Sequence, residues 1–439
     1  MAPTTTRRAT VGRALALVGS LAVLAALAVL VPCRPRADTA APPAVGTETT
    51  DASTTWPRFR GPDGSGVTPF DNLPLTWDAA TGEGIIWRTA LPLPGSNSAV
   101  VWGDRLFVTG GDESRREVYC LDAHTGEMLW TAPVAEGYAG EPRIHRMTGH
   151  AAPTAATDGE RVYAVFPTGH VAALDFAGTQ LWQRHFDMAE DIYGHASSLL
   201  VWGELLIVQV DLGKPDVGLS HMAALDRATG ELVWDIPRPV QGSWTTPIII
   251  DTGERVELVT SAKPWVIAYD PATGEEFWRV RCVEGDSGPS PIYANGHIYV
   301  ANIYASLVAI RPGGAGDVTD THLSWSARGS LPDICSPLCD GELVFVMATG
   351  GMFSCFDAAD GASVWSEALG RRFRASPSLA GGRVYLIGES GECLVVAAAR
   401  EYEELGSGRL GEAVHSCPSF AHGRMYLRGE RHLFCIGTP

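Results

Sequence analysis

Apolar and polar positions alternate in short runs through most of the chain, and the runs come in pairs joined by a tight turn. Ser290–Asn302 (SPIYANGHIYVAN), Ser336–Ala348 (SPLCDGELVFVMA) and Ser376–Gly388 (SPSLAGGRVYLIG) each predict a strand, a Gly-containing turn and a second strand. A second phrase accompanies such pairs. It is Leu121–Trp130 (LDAHTGEMLW), Leu225–Trp234 (LDRATGELVW), Tyr269–Trp278 (YDPATGEEFW) and Phe356–Trp365 (FDAADGASVW), with a worn copy ending at Trp182 and another Trp in step at Trp325. In each, an apolar run ends in an Asp whose carboxylate can cap the turn. Gly then supplies the positive φ, and a further strand closes on Trp. Asp122, Gly126 and Trp130 set the pattern, repeated by Asp226, Gly230, Trp234 and by Asp270, Gly274, Trp278. These are structural residues of a hairpin.

The spacing sets the architecture. From Trp87 the tryptophans follow at intervals of 43, 52, 52, 44, 47 and 40 residues, the range of propeller blades and solenoid units. Four short strands per repeat predict a radial blade. Glu83–Leu91 (EGIIWRTAL) has its Trp but no preceding hairpin, and Cys417–Gly437 stops before its Trp. Each end supplies what the other lacks. The expected fold is therefore all-β, an eight-bladed β-propeller with four-stranded blades, closed by the N-terminal strand pairing with the C-terminal blade. The degenerate Leu405–Leu410 counts as one outer strand. Closure leaves no unpaired ends.

Composition adds location and removes some functions. Net charge is −17 over 439 residues, and no basic run follows residue 40, which argues against nucleic-acid binding. Arg7, Arg8 and Arg13 precede Ala14–Val31, an uncharged apolar run long enough to span a bilayer. Residues 1–33 are thus expected to be a signal peptide or membrane anchor. Cys33 invites a lipoprotein reading that Pro32 fits poorly, and Arg7-Arg8 gives a weak twin-arginine match. Residues 34–55, rich in Ala, Pro and Thr, predict a disordered tether, and 56–439 the propeller. An exported, membrane-anchored protein on the periplasmic side of the envelope is expected.

Nine cysteines in an exported chain normally suggest disulfides. Here Cys120, Cys355 and Cys435 fall in one repeat column where other repeats carry Ala173, Ala224, Ala268 and Ala309, so they are expected to be small core residues. Cys335 and Cys339, four apart on one predicted strand, lie about 13 Å apart along it, too far to bridge.

The tryptophan phrase resembles the repeat of PQQ-type eight-bladed propellers, which include quinoprotein alcohol dehydrogenases and BamB-type outer-membrane assembly lipoproteins. A group of exported bacterial PQQ-like repeat proteins resembles the chain more fully, opening with a phrase like WPRFRGPDGSGV (Trp56–Val67) and ending with one like GRMYLRGERHLFCIG (Gly423–Gly437). The resemblance runs from about Trp56 to Gly437. It implies a propeller and either of two functions. In the dehydrogenases, PQQ lies beside a disulfide between adjacent cysteines, with Ca²⁺ and a catalytic Asp. No adjacent cysteine pair occurs here, and no catalytic Asp can be placed by matching. No cofactor is firmly implied.

A site is expected at the channel mouth, which the first strands line. Aligning these strands on their Ser-Pro column and taking the residue three before the Pro gives Ser96, His150, His195, Trp244, Gly288, Ile334, Arg374 and His415. His150, His195, Trp244, Arg374 and His415 are the candidate ligand-binding residues. They suit a small, anionic or peptide-terminus ligand, a transition metal, or no ligand at all. Asp191, Asp333 and Glu412 are candidate supports. GDSGP (Gly285–Pro289) lacks triad partners, and PGGAGD (Pro312–Asp317) lacks the Lys of a phosphate loop. Insertions at Tyr138–Met147 and Asp211–His221 carry Arg143, His145, Arg146 and Lys214 and are candidate contact loops. The expected function is a membrane-tethered envelope scaffold that binds envelope proteins or a small ligand on one propeller face. The alternative is a PQQ- or metal-dependent oxidoreductase at the channel mouth.

Overall fold

From Trp56 onward strands dominate, because the apolar runs there are short and closed by Gly or Asp turns. The computed structural model describes residues 51–136, 144–188, 191 and 193–438. The predicted N-terminal anchor, most of the tether and Cys33 lie outside them. Among the described residues no helix is long and apolar enough to cross a membrane, and the strands form eight antiparallel-based sheets of four to six strands. The second sheet is typical, running Ala156–Thr157, Arg161–Val165, His170–Asp175 and Gln180–His185 in meander order. Its two middle strands are buried on both faces, whereas the fourth is mostly exposed. Sheets packed against neighbours on either side require that pattern.

Seven of the eight sheets repeat one local device. The third strand pairs a small residue opposite the outer-strand Trp: Ala173 with Trp182, Ala224 with Trp234, Cys120 with Trp130 and Cys435 with Trp87. A register shift follows this pair at once, as a β-bulge that twists the strands into the turn. At the turn, Asp122 accepts from the amides of His124 and Thr125 at 2.9 and 2.8 Å. Asp226 accepts from Ala228 and Thr229 at 3.0 and 2.8 Å, and Asp270 from Ala272 at 2.8 Å. Gly126, with φ 72°, leaves room for the Trp87 ring, which a Cβ there would meet at 2.6 Å.

The tryptophans link successive sheets. The indole N–H of Trp130 donates to Phe176 O at 2.9 Å, that of Trp182 to Arg227 O at 3.0 Å, and that of Trp325 to Ala358 O at 2.9 Å. Each therefore reaches a turn of the following sheet. Trp278 departs from the rule and donates to the buried carboxylate of Glu257 at 2.9 Å. At the chain's two ends, Ile85–Ala90 is the fourth strand of the last sheet, paired antiparallel to His432–Ile436. Its Trp87 donates to Ala123 O in the first sheet at 3.2 Å.

The seventh sheet has no Trp of its own. Gly406 stands opposite Val395, in the place that Trp takes elsewhere. The N-terminal strand Trp77–Asp78 runs parallel to the outer strand Glu404–Arg409, and the Trp77 ring stacks 6.4 Å from Tyr385. A Cβ on Gly408 would lie 1.9 Å from that ring. A distant Trp thus fills the gap. The eight described cysteines are free, and Cys120, Cys355 and Cys435 are fully buried. Cys335 precedes the strand Leu338–Cys339 and is not on it, so the single strand expected to carry both is interrupted before it reaches Cys335.

Candidate functional site

The innermost segment of every sheet brings one small polar residue to a common centre, and backbone amides join these residues in sequence. Ser98 N donates to Thr154 Oγ1 at 3.0 Å, Thr154 N to Ser198 Oγ at 3.0 Å, and Ser198 N to Thr246 Oγ1 at 2.9 Å. Thr246 N then donates to Ser290 Oγ at 2.8 Å, Ser290 N to Ser336 Oγ at 3.0 Å, and Ser336 N to Ser376 Oγ at 2.9 Å. Ser376 N donates to Cys417 Sγ at 3.2 Å, and Cys417 N to Ser98 Oγ at 3.1 Å. The cycle returns to its start. Seven hydroxyls and one thiol ring a cavity of about 380 Å³.

One side of this cavity is formed by the phrase WPRFRGPDGSGV. Thr55–Trp56 pairs with the inner strand of the first sheet, and Val67–Thr68 with that of the seventh. Between them Phe59 lines the cavity, and the arginines on either side of it are buried. Arg58 donates to Pro247 O at 2.8 Å. Arg60 donates to Pro337 O at 2.9 Å, Pro377 O at 3.0 Å and Ser65 O at 2.5 Å. Those prolines directly follow ring residues Thr246, Ser336 and Ser376, so the segment forms a floor beneath the ring. Burial lowers the pKa of Arg58 to about 10, still charged at neutral pH. Gly66, φ 79°, is needed because a Cβ there would meet the Arg60 guanidinium at 2.7 Å.

At the other side, the residues two before each ring member line the cavity: Ser96, Ala152, Ala196, Trp244, Gly288, Ile334, Arg374 and His415. Six of the eight sequence-derived mouth positions are therefore found there. His150 and His195 are not among the lining residues. In the second sheet the ring member is Thr154, followed by Ala155, so aligning on Pro153 shifts the register by two. In the third, Ser198 is followed by Leu199 with no Pro, and His195 is one residue out of register, on the opposite face. His195 is buried, and desolvation pulls its pKa down to about 4. His150 is half-buried, with its Nδ1 unpaired.

Arg374 and His415 share Glu389, whose Oε1 lies 3.2 Å from Arg374 Nε and 3.7 Å from His415 Nε2. Burial first, and then the Arg374 charge, lower the His415 pKa. Trp244 donates to Asp191 Oδ2 at 3.2 Å and meets the Tyr193 ring edge-on at 5.1 Å. Asp286 and Asp333 also line the cavity. Glu412 instead accepts from Arg431 and His432. Of the contact loops, residues 138–143 lie outside the described residues. Asp211 in the other loop is an internal residue, paired with the buried Arg238 at 3.2 Å.

Sequence reasoning missed the floor and the ring. The Ser-Pro column was visible, but as an alignment mark, and Arg58 and Arg60 stood only in a family phrase. The signal was present in the Ser or Thr preceding Pro in repeat after repeat, and in two arginines flanking a Phe.

Repeated sheets, tryptophan links and a central cavity define a β-propeller of PQQ-like repeats. The model of the family described as outer membrane protein assembly factor BamB matches residues 71–214, 218–334 and 323–403; the chain belongs to this family. A BamB from Alkalilimnicola ehrlichii is 32% identical over 162 residues, 36% of this chain and 37% of that protein. A polyvinylalcohol dehydrogenase from a Sphingopyxis species is 24% identical over 71% of this chain and 49% of that protein. The chain thus spans half or less of these curated relatives. The quinohemoprotein alcohol dehydrogenase of Comamonas testosteroni has a similar fold, with TM-score 0.66 at 14% identity over 89% of this chain and 81% of that one.

The quinone that such dehydrogenases hold can be tested against this cavity. PQQ is a flat tricarboxylate, whereas the cavity offers one guanidinium, already paired with Glu389, and two carboxylates, Asp286 and Asp333. Among the described residues no three His, Cys, Asp or Glu side chains converge to hold a metal. The residues present do not fit the quinone or its Ca²⁺.

Proposed function

We propose that the eight sheets are the blades of a closed eight-bladed propeller that serves the cell envelope as a binding and assembly scaffold. Residues 1–33 would carry it out of the cytoplasm as signal or anchor. The tether expected over 34–55 would give way to ordered chain at Ala52–Thr54 and at Thr55, which already pairs with the first sheet, and 56–439 would form the rest of the propeller. The cycle of inter-sheet hydrogen bonds and the Trp87 link support closure. Membership of the BamB family supports the scaffold role.

The observation that carries the reading lies on the outside of the third sheet. Val217, Leu219, Leu232 and Val233 are 57, 37, 54 and 52% exposed. The first three border a surface cavity of about 730 Å³ with Arg184, His221 and Asp235. Clustered exposed apolar side chains with a polar rim mark protein contact sites. The expected partner is an envelope protein presenting an apolar segment. Site-specific photocrosslinkers at Val217 and Leu232, introduced in the native envelope, should yield the same protein adduct, lost on Leu219→Asp. No adduct, or an identical one from exposed Glu342, would contradict the reading.

The runner-up is an oxidoreductase acting at the central cavity, favoured by the polyvinylalcohol dehydrogenase relative. The donor set of the cavity counts against its quinone form.

A further inference from the structure

The central cavity has a chemistry that neither scaffold nor quinone accounts for. In the ring, each of the seven hydroxyl oxygens accepts one backbone amide, as Ser198 Oγ does from Thr154 N at 3.0 Å. None of their O–H protons has a protein acceptor among the described residues. Seven donors therefore line one small space unspent.

The same space holds acceptors. Asp286 receives Gln241 Nε2 on Oδ1 at 3.1 Å, and Asp333 receives Thr349 on Oδ1. The second oxygen of each has no partner among the described residues. Aromatic faces complete the lining, with Trp244, Tyr193 and the 67%-exposed Tyr304. About 380 Å³ is the lower end of small-molecule sites.

Three ligand classes compete for such a cavity. An apolar compound would leave the ring donors and carboxylate oxygens desolvated. An anion would meet Asp286 and Asp333, with the Arg374 charge already balanced by Glu389. A neutral molecule with many hydroxyls meets every requirement, because each hydroxyl both donates and accepts and its C–H faces pack on aromatic rings. We propose that the cavity binds a small neutral polyhydroxylated ligand, a monosaccharide or a short polyol. Trp244 supplies the stacking face, the Ser and Thr ring the donors, and Asp286 and Asp333 the acceptors.

The test is saturation-transfer NMR on the purified full chain. The probes are glucose, galactose, mannose, N-acetylglucosamine and sorbitol, with succinate and benzoate as acid controls. At least one sugar or polyol should bind, the acids should not, and Trp244→Ala should weaken binding about tenfold or more. Thr246→Val should weaken it while Thr246→Ser retains it. Because Thr246 also accepts an inter-sheet bond, Asp286→Asn provides a second variant on a loop. Absence of transfer to all five sugars and polyols, binding of the acids instead, or affinity unchanged in both Trp244→Ala and Asp286→Asn would overturn the proposal. This outcome is independent of the crosslinking test of the scaffold reading.

Discussion

Replacing Arg60 by Met removes the fork that holds the N-terminal segment across the ring. The native side chain is wholly buried and reaches carbonyls of two different sheets, Pro337 O at 2.9 Å and Pro377 O at 3.0 Å. A hydrogen bond from a charged donor contributes about 1.5–3 kcal/mol, so losing these two costs about 3–6 kcal/mol gross. Relief of the guanidinium's desolvation offsets part of that, and Met fills most of the volume, leaving a net loss of about 2–4 kcal/mol. Arg60→Lys, with no planar fork, should fall between Met and the native residue. Urea unfolding followed by far-UV circular dichroism gives the change in midpoint and slope. Limited proteolysis should at the same time cleave the segment after Arg58 in the Met variant first. A stability change below about 0.5 kcal/mol would mean that these bonds contribute nothing, refuting the view that the segment is a structural floor.

Other perturbations probe separate parts of the account. Trp87→Ala should cost about 3–5 kcal/mol and speed hydrogen exchange in Ile85–Ala90 before other strands, since this ring links the last sheet to the first. Gly408→Ala should drive Trp77 from its place, lowering the melting temperature and the near-UV signal, because the new Cβ would lie 1.9 Å from the indole. His195 titrates near 4 when folded and near 6.5 when unfolded, so the unfolded chain takes up its proton first. Its contribution is complete above pH 6.5 and is lost as the pH falls toward 4, about 3 kcal/mol over that window. His195→Gln should flatten that part of the stability–pH curve, and an unchanged curve would remove His195 as its source.

The hairpins were legible because their signals are local: Asp caps its own turn, Gly takes the positive φ, and Trp faces a small residue fixed by register. The pairing of Ile85–Ala90 with the last sheet was legible too, since the two ends lack complementary strands. The seventh sheet was less so. Its Trp comes from Trp77, more than three hundred residues away from Gly406, and no repeat pattern announces such a loan. The site column was legible where Pro marks it, at Trp244, Gly288, Ile334, Arg374 and His415. It was misread at His150, where Pro153 is a decoy that shifts the register by two, and at His195, where Leu199 replaces the marker and the slip of one residue exchanges faces. The ring itself arises from bonds between sheets, which periodicity within a repeat does not reveal.

The scaffold account depends most on the cavity not being a quinone site. The direct measurement is equilibrium dialysis of the purified full chain against PQQ and Ca²⁺, with the retained quinone read by absorbance and the metal by elemental analysis. The account predicts no retention of either above the level found with a protein that does not bind them. One equivalent of quinone retained in a calcium-dependent manner, and reduced on adding an alcohol, would contradict it and make the chain an oxidoreductase.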